Sequence, residues 1–307
     1  MISSFFAASY NFCMRRSLGA LHSTKSFLMI ELWVASFCSI MIHPLRTGIL
    51  YWNEPILYFG GAVGLVFGAM LYFLGRAMEY GPSGLTIAGL NASNVLPSIV
   101  MFLFFGPSLG FGYTRFHLAG SLLVLIGILW ASSHVGKKEH KIAWALYASM
   151  AFFLHVLFLV AMQWRALMIQ LPDYSTAFRV LPQQLAANPW FTPSMYMSAA
   201  ILHTVIFIRS GKRSLSPFDW KIGIMGGGLN ALYAFFLVVS AEKASLFEHT
   251  MLFPLFSVIT IFLCNLWGKW FYQEKVHWKA CHLSFLGIVI GTVDWASLSE
   301  FLQMYLM

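Results

Sequence analysis

The chain has 307 residues, of which 59% are hydrophobic and only 10% charged, with a mean hydropathy of +0.73. A water-soluble domain carries about a quarter charged residues, so that class is excluded. The excess of 19 Lys and Arg over 11 Asp and Glu does not build a nucleic-acid face, because the charges fall between long apolar runs.

A hydrocarbon core of about 30 Å needs roughly 20 apolar residues as helix. In chain order the sequence opens with a short apolar run, Ile2–Met14, that stops at Arg15-Arg16. The charge follows the run, which excludes a secretory signal. It reads as the back part of a truncated span or as a short helix held by its neighbours. Nine longer runs follow: Ser26–Pro44, Pro55–Leu74, Gly84–Phe105, Phe116–Ser133, Ile142–Gln163, Pro193–Ile208, Ile222–Ala241, Ala244–Trp267 and Ala280–Leu298. The expected fold is therefore all-α, with ten transmembrane helices. Connections such as Glu79–Ser83 are short, whereas Arg165–Thr192 is long enough for a surface helix or lid.

Fourteen of the 19 basic residues fall in the odd-numbered connections, counted from the first helix. The positive-inside rule places those connections in the cytoplasm and the C-terminus outside, in a cell (inner or plasma) membrane. Cys13, Cys38, Cys264 and Cys281 show no CxxC or metal spacing and read as packing residues. No cofactor motif and no metal site is expected.

The sequence repeats itself. Gly68-Ala-Met-Leu-Tyr-Phe-Leu leading to Glu79 aligns with Asn230-Ala-Leu-Tyr-Ala-Phe-Phe leading to Glu242. A proline-bearing run follows in each half, with Pro97 and Pro254, and each half closes on Trp-Ala-Ser after His117 or His282. The cut falls in the basic linker 136–141, between a first repeat at 1–135 and a second at 142–307. Five helices per repeat make the copies inverted, a common arrangement in secondary transporters.

Ten helices, the paired prolines, and Pro254-Leu-Phe-Ser-Val-Ile-Thr-Ile through Glu274 to Leu286-Gly-Ile-Val-Ile-Gly resemble the drug/metabolite transporter superfamily, of the EamA type. The resemblance implies an alternating-access transporter of a small polar metabolite, by proton or cation symport or by exchange. Asn265-Leu-Trp-Gly268 also resembles the sugar–proton symporter branch. The first half carries Gly106-Pro-Ser-Leu-Gly where the family has a Gly-Glu step, and the charge count opposes the family's cytoplasmic termini.

Polar groups inside spans are costly and face the bundle interior or a wet cavity. Asn91, Asn94 and Ser98 share one helix face by spacing, as do Asn230 and Tyr233. Glu248 precedes Pro254 by the same six residues that separate Asn91 from Pro97. Asn91, Asn94, Asn230, Tyr233 and Glu248 are thus the candidate substrate-binding residues. Their plainer role is hydrogen bonding between helices, or, for Glu248, stabilising a helix N-terminus. Glu31, Glu248 and His155 are the candidate coupling groups; His155 and His203 also suit packed interior positions. Trp33 and Phe235 are candidate apolar walls, and Asp294 is expected near a membrane surface.

Pro97 and Pro254 are candidate hinges. Gly60, Gly64 and Gly68, and again Gly223, Gly227 and Ala231, recur every fourth residue, which permits close helix contact or sliding. Gly81-Pro-Ser83-Gly84 and His117 resemble an intramembrane protease pair. A complete crossing of about 30 Å separates them, so the chain reads as no enzyme. The expected partners are a small-molecule substrate, membrane lipid and a proton or cation, without nucleic acid, as monomer or homodimer. A non-transporting membrane scaffold is the alternative of another kind.

Overall fold

The computed structural model describes residues 2–18, 24–80, 86–87, 90–91, 93–105, 114–132, 141–170, 181–211, 215–244, 246–272 and 278–292. Among these residues all regular structure is helical. Ten helices have ten residues or more: α1 (Ile2–Arg16), α2 (Thr24–Ile40), α3 (Glu54–Tyr80), α4 (Leu96–Phe105), α5 (Arg115–Ser132), α6 (Lys141–Gln170), α7 (Phe191–Arg209), α8 (Pro217–Lys243), α9 (Leu246–Tyr272) and α10 (Trp278–Thr292).

Five described stretches are long and apolar enough to cross a bilayer: Thr24–Leu45, Glu54–Tyr80, Ile142–Gln170, Phe191–Arg209 and Pro217–Lys243. Leu255–Phe271 and Trp278–Gly291 are shorter apolar helices. Large apolar side chains also point outward, among them Leu103, Phe153, Ile201 and Ile208. Water does not tolerate so much exposed apolar surface, and lipid does. The chain is that of an integral membrane protein.

Local chemistry sets several helix ends. Ser216 caps α8 through a reciprocal box with Asp219, and Pro217 occupies the first turn, where no intrahelical N–H is needed. Asn53 Oδ1 accepts the Ile56 N–H at 3.1 Å and starts α3. At the far end of α2 the ladder widens into a π turn, Met41–Leu45, around Pro44, which has no N–H to give. The long connection holds one helical turn, Gln183–Ala186, in line with the surface helix expected there.

α3 packs along α6 and α7, while α8 packs along α1 and α2. α2 crosses α7, α5 pairs with α10, α1 touches α9, and α4 touches α6. Glycine makes three of these crossings close. A Cβ on Gly64 would stand 2.1 Å from the Met195 carbonyl oxygen, across the α3–α7 crossing. One on Gly227 would stand 2.5 Å from the Glu31 carbonyl oxygen, across α8–α2. Gly120 likewise meets the Gly287 oxygen at 2.4 Å, across α5–α10. The every-fourth-residue glycines of α3 and α8 are therefore packing seams.

Arg165, expected in a connection, lies inside α6, which runs on to Gln170. Its guanidinium is buried, donates to Glu242 Oε1 at 2.7 Å, and sits 4.5 Å from the Phe191 ring centroid. An arginine so placed needs no aqueous loop, because an acid and an aromatic face replace water. Gln170 Nε2 donates to the carbonyls of Glu242 and Ala244 and ties the same corner together. Glu242→Ala is expected to lower unfolding free energy by roughly 2 kcal/mol, below the ~3–5 kcal/mol of a fully buried pair, since the Glu242 side chain is 31% exposed. Thermal unfolding in detergent measures it.

Candidate functional site

Two groups of buried polar residues face the middle of the bundle. The first begins with Glu31 on α2, which is completely enclosed. At the close α8–α2 crossing Gly226 and Gly227 make room for the Phe27 ring, the Val34 side chain and the Glu31 backbone, and one turn further on α8 reaches the carboxylate. Asn230 Nδ2 donates to Glu31 Oε1. The Tyr196 hydroxyl on α7 donates to Asn230 Oδ1 at 2.9 Å. Tyr196 thereby fixes the orientation of the amide, because the amide oxygen is taken and the nitrogen must face Glu31. Glu31 Oε2 and the Tyr10 hydroxyl of α1 are buried without hydrogen-bond partners.

The second group surrounds a break ahead of α4. Residues 86–87 and 90–91 are helical, then Ser93–Val95 forms a single 3-10 turn before α4 starts at Leu96. Side chains bond to the backbone there. Ser93 Oγ donates to the Leu90 carbonyl at 2.5 Å and meets His155 Nδ1 at 2.6 Å. Ser257 Oγ of α9 donates to the Asn91 carbonyl at 3.0 Å and accepts from Asn94 Nδ2. Asn91 Nδ2 itself donates to the Ile87 carbonyl at 2.8 Å.

Between these groups lies a cavity of about 50 Å³, room for a few water molecules. Its polar wall holds Tyr10, Asn11, Asn91, His155, Tyr233 and Thr260, and α3 supplies Phe67, Met70, Leu71 and Leu74. The rings of Tyr10, Tyr233 and Phe256 stack in series, at 6.5 and 5.9 Å between centroids.

Of the residues singled out in the sequence, Asn91, His155 and Tyr233 meet at this cavity. Glu31 and Asn230 bond to each other beside it, and Asn94 is buried against Ser257. Glu248 falls in the first turn of α9, with its side chain outside the described residues. Asp294 and Ser83 lie outside them too. Pro97 is the second residue of α4, so the break precedes the proline, which needs no intrahelical donor in a first turn. Pro254 lies within continuous α9.

His203 is a packed interior histidine, with Nε2 2.9 Å from the Gly68 carbonyl oxygen. Trp33 is no cavity wall: it is 44% exposed and donates to Thr204 Oγ1 at 2.9 Å. Phe235 packs against His43 and beneath Arg46, at 5.6 and 5.4 Å. His117 is engaged at the start of α5, where Thr114 N donates to its Nδ1 at 3.1 Å.

Sequence reasoning passed over Tyr10, Tyr196 and Ser257. The tyrosines carried a usable signal, since a buried phenol seeks a polar partner; Ser257 carried none beyond its type. Among the described residues no cluster of His, Cys, Asp and Glu is arranged to hold a metal.

No family model and no curated protein matches this chain. A solved protein described only as "Crystal structure of protein" superposes on 94% of this chain and 96% of its own, with TM-score 0.60 and 16% identity. That likeness concerns the fold alone.

Proposed function

We propose that this chain is a secondary transporter of the cell membrane, with ten transmembrane helices in two inverted five-helix halves. It moves a small polar metabolite by alternating access, with a proton or cation as coupled species or by exchange. The observation that carries this reading is the cavity, because both halves line it and each brings polar groups to it. Tyr10, Phe67 and Asn91 come from the first half, and His155, Tyr233 and Thr260 from the second. Transporters of inverted repeats hold their sites where the halves meet.

The helix packing supports the repeat. Exchanging each helix for the one five places on turns the α3–α7 contact into α8–α2, and α3–α6 into α8–α1. The same exchange turns α4–α6 into α9–α1, and carries α2–α7 and α5–α10 onto themselves. Glu79 and Glu242, matched in the sequence repeat, both end as arginine partners, with Arg76 and Arg165. Glycines line both α3–α7 and α8–α2, the two crossings that the exchange relates.

Two measurements test the proposal on the full chain with its four native cysteines replaced. Single cysteines at Asn91, Thr260 and Tyr233 are expected to react with a water-soluble thiol reagent, and those at lipid-facing Phe153 and Ile201 are not. Proteoliposomes given a metabolite mixture are expected to accumulate a subset of it. Unreactive cavity positions together with no uptake overturn the reading and favour a membrane scaffold.

A further inference from the structure

The open valences beside the cavity identify a ligand class, an inference that rests on the transporter reading and extends it to what is carried. Hydrogen-bond donation runs in one direction, from the Tyr196 hydroxyl to Asn230 and from the Asn230 amide to Glu31 Oε1. The relay stops at Glu31 Oε2, which is fully enclosed and has no donor. Tyr10, which lines the cavity, has its hydroxyl equally unmatched; it packs against Phe27, one turn before Glu31 on α2, and on Tyr233, one turn after Asn230 on α8. Among the described residues no Lys, Arg or His is ion-paired with Glu31.

A carboxyl group sealed in a bilayer with one donor and no counter-charge holds a proton, or exchanges it for a group that brings both hydrogen and positive charge. The phenol oxygen of Tyr10 can accept a hydrogen from that group. Phe67, Met70, Leu71 and Leu74 provide an apolar wall for the rest of the molecule. The geometry points to a small protonated amine with an apolar body as ligand, its ammonium between Glu31 Oε2 and the Tyr10 hydroxyl. Tyr196 acts as a positioning residue by holding the Asn230 amide in register.

The purified full chain in detergent is titrated with phenethylamine, phenethyl alcohol and phenylacetate, and the melting temperature is followed. The amine is expected to raise it saturably, and the alcohol and the acid are not. Glu31→Gln and Tyr10→Phe are each expected to weaken amine binding by about tenfold or more, as loss of a charged or direct hydrogen bond requires. Tyr196→Phe weakens it less, and Tyr196→His, which restores a donor, recovers part of the loss. If Glu31→Gln does not fold, Tyr10→Phe and Tyr196→Phe give the result. Equal stabilisation by all three probes, stabilisation by none, or amine binding indifferent to these substitutions overturns the assignment. Uptake of the metabolite mixture with no amine binding removes the amine site and leaves transport standing. Amine binding with no solute crossing does the reverse.

Discussion

Gly64→Leu is expected to leave almost no folded protein, while Gly61→Leu behaves like the parent chain. The two glycines share a helix and a membrane depth, so lipid solvation and helix propensity do not separate them. What differs is the neighbour. A Cβ at Gly64 meets the Met195 carbonyl oxygen and Ser198 Oγ, both at 2.1 Å, whereas one at Gly61 finds nothing within 4 Å. Overfilling a core whose side chains can move costs about 1–3 kcal/mol. Here the obstacle is backbone, which has no rotamer to change, and α3 must part from α7. Marginal stability of about 5–15 kcal/mol does not absorb such a separation along a full crossing. The yield of monodisperse protein after detergent extraction and its melting temperature decide the matter. Gly227→Leu against Gly228→Leu repeats the comparison at the α8–α2 crossing, where the second glycine also faces open space.

The second large effect is Asn230→Leu. Tyr196 keeps an acceptor in the Asn230 backbone carbonyl at 3.2 Å, so the damage falls on Glu31, which loses the donor it has. A hydrogen bond to a charged group contributes about 1.5–3 kcal/mol, or roughly ten- to hundredfold in an equilibrium. Uptake by proteoliposomes is expected to fall by about that factor, with a melting temperature lowered as well. Asn94→Leu provides the contrast. It removes the amide's contacts with Ser257 and Asn91, but the Ser257 bond to the Asn91 carbonyl survives, so the loss is smaller. Equal uptake by the parent and Asn230→Leu would detach the buried carboxylate from transport.

Much of this architecture was legible in the sequence because a bilayer enforces it. Backbone groups in hydrocarbon must pair within their own segment, so apolar length alone delivers helices such as α3 and α8. Glycine at every fourth position forecast the two seams for the same reason, since only backbone can approach backbone that closely. Glu31, Asn91, Asn230 and His155 stood out because polarity within a span is rare. Helix rotation was harder to read. Trp33 lies near Glu31 on the same helix, yet it faces outward, and a uniformly apolar helix gives no moment that reveals its inner side. Arg165 was read as a loop charge because its acidic partner lies 77 positions further on. Pro97 was read as a candidate hinge, and it falls in the first turn of α4; the bonds that the serine and asparagine side chains ahead of it make to the backbone there were not foreseen.

That break has a consequence for how the bundle responds to motion. The Leu90 carbonyl is met by Ser93 and His155, and the Asn91 carbonyl by a serine on α9. These two peptide groups are thus wired to different neighbours, α6 on one side and α9 on the other. A rocking of α9 away from α4 removes the serine from the second oxygen, while the first keeps both of its side-chain partners. Hydrocarbon offers that oxygen no replacement for the serine. Under the proposed transport, wetting of the interior is thereby tied to the tilt of a single helix.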